Sequence, residues 1–188
     1  MFWRKKRQVP WDEVGTTLGE RIVVDSQKLS NKIKEALQGE NEPGLPNFSD
    51  PRWMYELCQW KMFWVLYFAN LPQLRESGVT KPWLDAYHKS AYLAMARAGL
   101  LKSRQIEDVR AWEKDSDTRF VVYKRAFENP PPEPMLFTAT LGWEFARFLF
   151  PSEEPNFKLV MLMNEAGSAE FQALDKMVDS LEKSYGHY

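Results

Sequence analysis

The sequence is poor in the residues that build disulfides and metal sites. It contains one cysteine, Cys58, and two histidines, His88 and His187, among 188 residues. A single cysteine excludes an internal disulfide, and zinc sites normally need a cluster of Cys, His or acidic ligands. A di-iron bundle needs two Glu-x-x-His pairs, and the nearest approach is Asp85 with His88, once. We therefore expect no metal and no cofactor.

Neither sign of charge dominates. The chain carries 25 Lys and Arg and 26 Asp and Glu, which gives a net charge of −1. A protein dedicated to nucleic-acid binding normally shows a basic excess or a basic stripe. Charge varies locally, because residues 51–102 hold seven basic and three acidic side chains, whereas residues 151–188 hold three and seven. We interpret these segments as solvated surfaces and expect no nucleic-acid partner.

Long hydrophobic runs are missing as well. The most apolar segment, residues 53–71, contains Glu56, Gln59 and Lys61, and its uncharged part covers about ten residues, whereas a membrane span needs about 20. No apolar stretch follows the basic start of the chain, so neither a secretory signal nor a transit peptide fits. These features predict a cytoplasmic protein without a transmembrane segment. Phe2, Trp3 and the four basic residues after them could support a weak peripheral contact with an anionic membrane surface.

No catalytic constellation can be assembled from the sequence. The nine glycines are scattered and form no phosphate-binding loop. Cys58 lies among apolar residues and is predicted to be a small hydrophobe of the core. His88 has Asp85 one turn before it, which could orient an imidazole, but a helix histidine satisfied by a neighbouring carboxylate is the preferred interpretation. We assign no catalytic, cofactor or metal residues, and an enzyme is disfavoured.

What the chain does contain is helical periodicity. Apolar residues recur at spacings of three and four, and Gly39, Asp50-Pro51, Gly99 and Ser103 supply helix ends and starts. The pattern predicts helices at 11–38, 51–71, 80–99, 103–127, 135–149 and 157–185. The predicted fold is an all-α bundle of five to six helices of mixed length, with a long C-terminal helix. One domain, 11–188, follows a basic and aromatic segment, 1–10.

Two local alternatives stay open. The polar middle of the fourth helix allows a break near 115–117, with Ser116 or Asp117 capping a second piece. Residues 157–167 could instead hold a short strand and a turn, although no partner strand is visible. The proline-rich segment 129–134 is predicted to be a stiff internal connector, since successive prolines cannot enter a helix interior. Thr80 is predicted to cap the third helix.

The C-terminal helix carries an apolar seam with spacings that alternate between three and four. The seam residues are Phe157, Val160, Asn164, Gly167, Phe171, Leu174, Val178, Leu181 and Tyr185. Its later half, from Phe171 onward, is predicted to be the exposed part. This seam favours association, with Leu174 and Leu181 in the contact.

Three charged residues in helices have alternative interpretations. Lys61 lies in apolar surroundings and could be a reactive amine or an anion anchor. The preferred interpretation is that its stem covers apolar surface while its ammonium reaches water. Glu144 and Arg147, one turn apart, are predicted to form either a mutual or an interhelical ion pair.

Aromatic residues are the most distinctive feature of the composition, with eight Trp, seven Tyr and twelve Phe. They crowd the second helix, which is apolar nearly all round and is predicted to be central. The favoured function is a non-catalytic helical module that binds another protein, including a second copy of itself. The alternative is a helical bundle that holds a small apolar ligand in an aromatic-lined pocket.

Overall fold

The computed structural model describes residues 9–40, 43–76, 78–101, 106–129, 134–151 and 154–185. Within these ranges the chain forms seven helices and no strand. The helices are α1 (Trp11–Ala36), α2 (Pro51–Ala69), α3 (Pro72–Glu76), α4 (Thr80–Arg97), α5 (Ile106–Glu128), α6 (Pro134–Leu149) and α7 (Phe157–Tyr185). The predicted all-α fold with a long C-terminal helix is confirmed. The short α3 was not predicted.

At both positions where the sequence left alternatives open, the structure has a continuous helix. The α5 helix passes through residues 115–117 without a break, and α7 is helical from Phe157, so the strand interpretation is wrong. Residues 130–133 of the proline-rich connector lie outside the described residues, as do residues 1–8 of the N-terminal segment, Ser103 and His187.

Among the described residues, the helix signals at Asp50-Pro51 and Gly99 are confirmed, whereas the predicted Thr80 cap is wrong. The Asp50 side chain accepts a hydrogen bond from the Arg52 backbone N–H at 2.8 Å, and Pro51 opens α2. Gly99 has a φ of +72°, which suits a residue without Cβ after the end of α4. Thr80 does not cap α4, because its hydroxyl donates to the Ala69 carbonyl at 2.8 Å and ties the two helices together.

The second helix is the centre of the fold. Fourteen of its nineteen residues are buried, and it contacts α1, α4, α5, α6 and α7. Trp60 makes edge-to-face contacts with Trp64, Tyr123 and Phe145, at centroid separations of 5.3–5.7 Å. Edge-to-face packing suits the quadrupoles of the rings, so the aromatic residues fill the core.

Helix α1 packs closely on α4 through glycines. Gly15 lies against Trp83, and a Cβ at Gly19 would stand 2.6 Å from the Tyr87 carbonyl oxygen. The contacts advance together along both helices, so α1 and α4 run parallel. Replacing either glycine would force the two backbones apart, because the obstacle is backbone rather than a flexible side chain.

Helix α7 also packs against α2 and runs parallel to it. Gly167 packs against Trp60 and Trp64, and Phe171 contacts Phe68 one turn later. The first turn of α7 pairs through Lys158 with Glu40, just beyond the end of α1, so α1 and α7 are antiparallel.

The seam of α7 is covered mostly by helices of its own chain. Phe157 is 66% exposed and does not belong to it, whereas Leu174 and Val178 are buried. The prediction that the later half is the exposed part is therefore wrong at these two positions. Both residues belong to the buried core, and Phe171 of the same half packs against Trp64 and Phe68 of α2.

Candidate functional site

An open groove of about 590 Å³ separates α1 from α7. Its apolar lining is aliphatic and comes from Leu18, Leu29, Ile33, Leu162, Ala166, Ala169, Ala173, Leu174 and Met177. Charged side chains of both helices and one side chain of α2 complete it. The groove has no aromatic lining residue, in contrast to the core directly beneath it.

The groove follows from how the neighbouring helices pack. The glycines of α1 draw this helix against α4, and Gly167 draws α7 against the rings of α2. Helix α1 is therefore held against α4, and α7 is held against α2. As a result, α1 and α7 make few direct contacts with each other. Apolar side chains that face the gap, such as Leu18 and Leu29, stay half-buried.

Lys61 of α2 lies at the floor of this groove. The residue is 9% exposed, and its ammonium donates to the Glu170 carboxylate of α7. The preferred interpretation placed the ammonium in water, and the structure adds the Glu170 carboxylate of α7 as its partner. An ammonium has three N–H donors, and among the described residues Glu170 is its hydrogen-bond and ion-pair partner.

The two rims of the groove carry opposite charge. Arg21, Lys28 and Lys32 line the α1 side, where Asp25 pairs with the first two at 3.3 and 3.1 Å. Glu165 lines the α7 side. In the described part of the chain, neither Lys32 nor Glu165 has an ion-pair partner. Both charges are therefore free to meet complementary charges on a molecule that enters the groove.

A second ion pair lies on the opposite side of α2. Glu56, 1% exposed, accepts two hydrogen bonds from Arg119 of α5, one from Nε at 2.8 Å and one from the terminal guanidinium nitrogen at 2.6 Å. Asp115 binds the remaining guanidinium nitrogen, and Phe148 lies under the cation at 4.6 Å. This bidentate, stacked arrangement suits arginine and cannot be reproduced by lysine.

Three polar residues of α2, Arg52, Glu56 and Gln59, are spaced four and three residues apart but differ in exposure. Arg52 is exposed, whereas Glu56 and Gln59 are buried. The Gln59 amide donates to the Tyr55 hydroxyl at 3.0 Å, and Tyr55 in turn donates to Asp115. Burial and the nearby Asp115 carboxylate raise the pKa of Tyr55 far above its usual range, so this phenol stays protonated.

The residues weighed for catalysis do not come together. Cys58 is buried in the core, and desolvation raises the pKa of its thiol to about 11, so it is not a thiolate at neutral pH. Asp85 binds Lys81 at 2.6 Å rather than His88. The His88 ring lies edge-on to Trp112. Burial lowers the pKa of His88, although nearby carboxylates oppose the shift.

Two further sequence-based predictions concern charge and metals. Glu144 and Arg147 form the expected ion pair, at 3.8 Å. Among the described residues, no group of three or more His, Cys, Asp or Glu is placed to hold a metal ion. In the same ranges, no helix combines the length and the apolar character that crossing a membrane requires.

Sequence reasoning missed Arg119 and Glu170, which supply the partners of the two buried charges of α2. These partners lie 63 and 109 residues away along the chain. No local spacing could have identified them. The sequence did contain a signal for a different contact. Gly15 and Gly19 lie four residues apart on one face of α1, which indicates close packing of that helix against a neighbour.

Comparison with protein-family models, with curated proteins and with solved structures finds no match to this chain.

Proposed function

We propose that this protein is a non-catalytic binding module that holds an amphipathic helix of a partner protein in the groove between α1 and α7. The observation that carries the proposal is the groove itself, aliphatic along its length and bordered by unpaired charges of opposite sign. Grooves of this kind bind helices through apolar anchors on successive turns.

The dimensions of the groove suit a helical ligand. Its α1 side extends from Leu18 to Ile33, fifteen steps along a helix, which corresponds to about 22 Å or roughly four turns. A partner helix of that length presents about four apolar side chains to the groove, spaced three and four residues apart. A volume of about 590 Å³ accommodates side chains of that number rather than a whole helix.

The charges favour a polypeptide over a purely apolar ligand. A helix that carries acidic residues on one flank and basic residues on the other would place them against Lys32 and Glu165, respectively. Such rim contacts contribute more to orientation and specificity than to affinity. The aliphatic contacts between the rims would supply most of the binding free energy.

The small-ligand alternative has less support. Its expected site was an aromatic-lined pocket, whereas Trp60, Phe63 and Trp64 pack against other rings. A smaller cavity of about 470 Å³ near the end of α1 has one aromatic lining residue, Phe48. Neither cavity has the aromatic surroundings that this function needs.

The proposal is tested by selecting binders from a display library of helical peptides. Ala169 and Ala173 are exposed lining residues of the groove, so Ala173→Trp fills the groove without entering the core. Ala111→Trp on α5 is the matched control, because Ala111 is also an exposed helical alanine and lies outside the groove. Affinities are then measured by fluorescence anisotropy for the wild type and both variants.

We expect the selected sequences to converge on amphipathic helices with apolar residues on one face. Their affinity should fall at least about tenfold in Ala173→Trp and stay unchanged in Ala111→Trp, because a lost apolar anchor costs on the order of 1.4 kcal/mol or more. Binders whose affinity is the same in all three proteins would contradict the proposal.

A further inference from the structure

Lys61 is an unusual residue to find at the floor of an aliphatic groove. A buried ammonium is costly unless it is paired, and Glu170 pairs with only part of it. The Glu170 side chain is 29% exposed and lies on a groove-lining helix. It can therefore turn toward water while its helix stays in place.

We propose that Lys61 is the anchor for a carboxylate carried by the apolar face of the docked helix, and that Glu170 occupies this anchor in the free protein. The proposal rests on the groove being a helix-binding site, and it adds the chemistry that selects the partner. The selected helix carries one Asp or Glu near its middle, among apolar residues.

The position of Lys61 supports this assignment. Its partner Glu170 lies midway between Leu162 and Met177, the ends of the groove on α7. A cation at one end would suit the headgroup of a fatty acid, whereas a central cation suits a side chain that projects from the middle of a helix. The charged rims along both helices also match a polypeptide better than a hydrocarbon chain.

An exchange of carboxylates explains how the Lys61–Glu170 pair can be buried in the free protein and still be available to a ligand. In the free protein, Glu170 satisfies one N–H donor of the ammonium, so the lysine is not left unpaired. In the complex, the ligand carboxylate would take that position, and the expelled Glu170 would be solvated at the α7 rim. The intramolecular pair therefore competes with the ligand carboxylate, and a ligand that displaces Glu170 without supplying a carboxylate leaves the ammonium unpaired.

The test uses two cross-linked helical peptides of about five turns, long enough to span the groove. Both have leucine along one face, glutamates on one flank and lysines on the other. They are identical except for a central Asp or Asn on the leucine face. Isothermal titration calorimetry gives the affinity of each peptide for the wild type, Lys61→Met, Glu170→Gln and Ala173→Trp.

We expect the wild type to bind the Asp peptide about tenfold more tightly than the Asn peptide, as a charge-assisted contact implies. Lys61→Met should abolish that preference. Glu170→Gln should increase affinity for the Asp peptide several-fold, because the internal competitor loses its charge. A preference that survives in Lys61→Met would overturn the proposal, since another group would then be reading the carboxylate.

The outcomes also separate this inference from the proposed function. If both peptides bind the wild type equally and both lose affinity in Ala173→Trp, the groove binds helices but Lys61 is not the anchor. If neither peptide binds, both proposals fail. A concentration-dependent dimer of the protein alone that disappears in Ala173→Trp would replace the partner helix with a second copy and overturn the inference.

Discussion

The central helix α2 carries two buried ion pairs, and they differ in how completely they are satisfied. Glu56 and Lys61 are five residues apart, which separates them by about 140° around the helix. In the Glu56 pair, beneath α5, Arg119 donates two bonds to Glu56 and a third to Asp115, and a ring lies under the cation. The Lys61 pair, beneath the groove, has one partner among the described residues.

The difference indicates which pair holds the fold and which is available for binding. Arg119 is 8% exposed and its guanidinium makes four hydrogen bonds to Glu56 and Asp115, so it has little capacity to bind an incoming ligand. An ammonium with one partially exposed carboxylate keeps donors and an exchangeable partner. Two buried charges on one helix thus have different consequences because of what surrounds them.

Breaking the Glu56 pair should have the largest effect on stability. Arg119→Met leaves a carboxylate that is 1% exposed without a cation, and it should lower the free energy of unfolding by about 3–5 kcal/mol. Urea denaturation followed by circular dichroism measures the change. Lys124→Met on the same helix is the control, since its pair with Glu128 is half-exposed and should contribute under about 1 kcal/mol. Similar losses in both variants would show that the buried pair is not structural.

Cys58 lies on α2 between the two ion pairs, and its titration tests how well water is excluded from that part of the core. Its pKa is raised from 9.0 to about 11, so between these values the unfolded chain releases the proton while the folded chain retains it. The free energy of unfolding should therefore fall as pH rises from about 9 to 11, by on the order of 2 kcal/mol from this residue.

Burial also raises the pKa of Tyr87 and Tyr123, so the wild type should lose further stability at higher pH. The Cys58 contribution is isolated by comparing wild type with Cys58→Ala in urea titrations across this range. Parallel curves for the two proteins would refute the raised pKa of Cys58.

Breaking the Lys61 pair should have a smaller effect than breaking the Glu56 pair. Lys61→Met places an apolar side chain in apolar surroundings and leaves Glu170, which can turn to water. The expected loss is about 1 kcal/mol or less, measured by the same denaturation. A loss above about 3 kcal/mol would make the two pairs equivalent and remove the contrast between them.

Filling the groove should have the smallest effect on stability. Ala173→Trp adds a ring to an exposed position, so its free energy of unfolding should stay within about 0.5 kcal/mol of the wild-type value. Ala111→Trp provides the comparison on α5. Marked destabilisation by Ala173→Trp alone would mean that the groove closes in solution and is part of the packed interior.

Much of the helical layout could be predicted from local chemistry. The Asp50-Pro51 start and the Gly99 stop depend on groups within one turn, so sequence alone identified them. Thr80 failed as a cap because the carbonyl of Ala69, eleven residues earlier, competes for its hydroxyl. Local rules do not include such tertiary competitors.

The candidate site was harder to predict for the same reason. Lys61 was recognisable as an exceptional residue, and its use as an anion anchor was among the interpretations considered. Its partner and the groove were not recognisable, because both depend on α7 lying across α2 after more than 100 intervening residues. The exposure expected at Leu174 was wrong because a helical seam does not reveal whether its own chain or another covers it.

The central claim is that a partner helix binds on the Lys61 side of α2 and not on the Glu56 side. The most direct measurement is amide chemical-shift mapping of the isotope-labelled protein with the tightest peptide from the display selection. We expect the largest changes in residues 18–33 of α1 and 162–177 of α7, with α5 around Arg119 unaffected. Changes centred on α5, with the α1 and α7 segments unchanged, would contradict it.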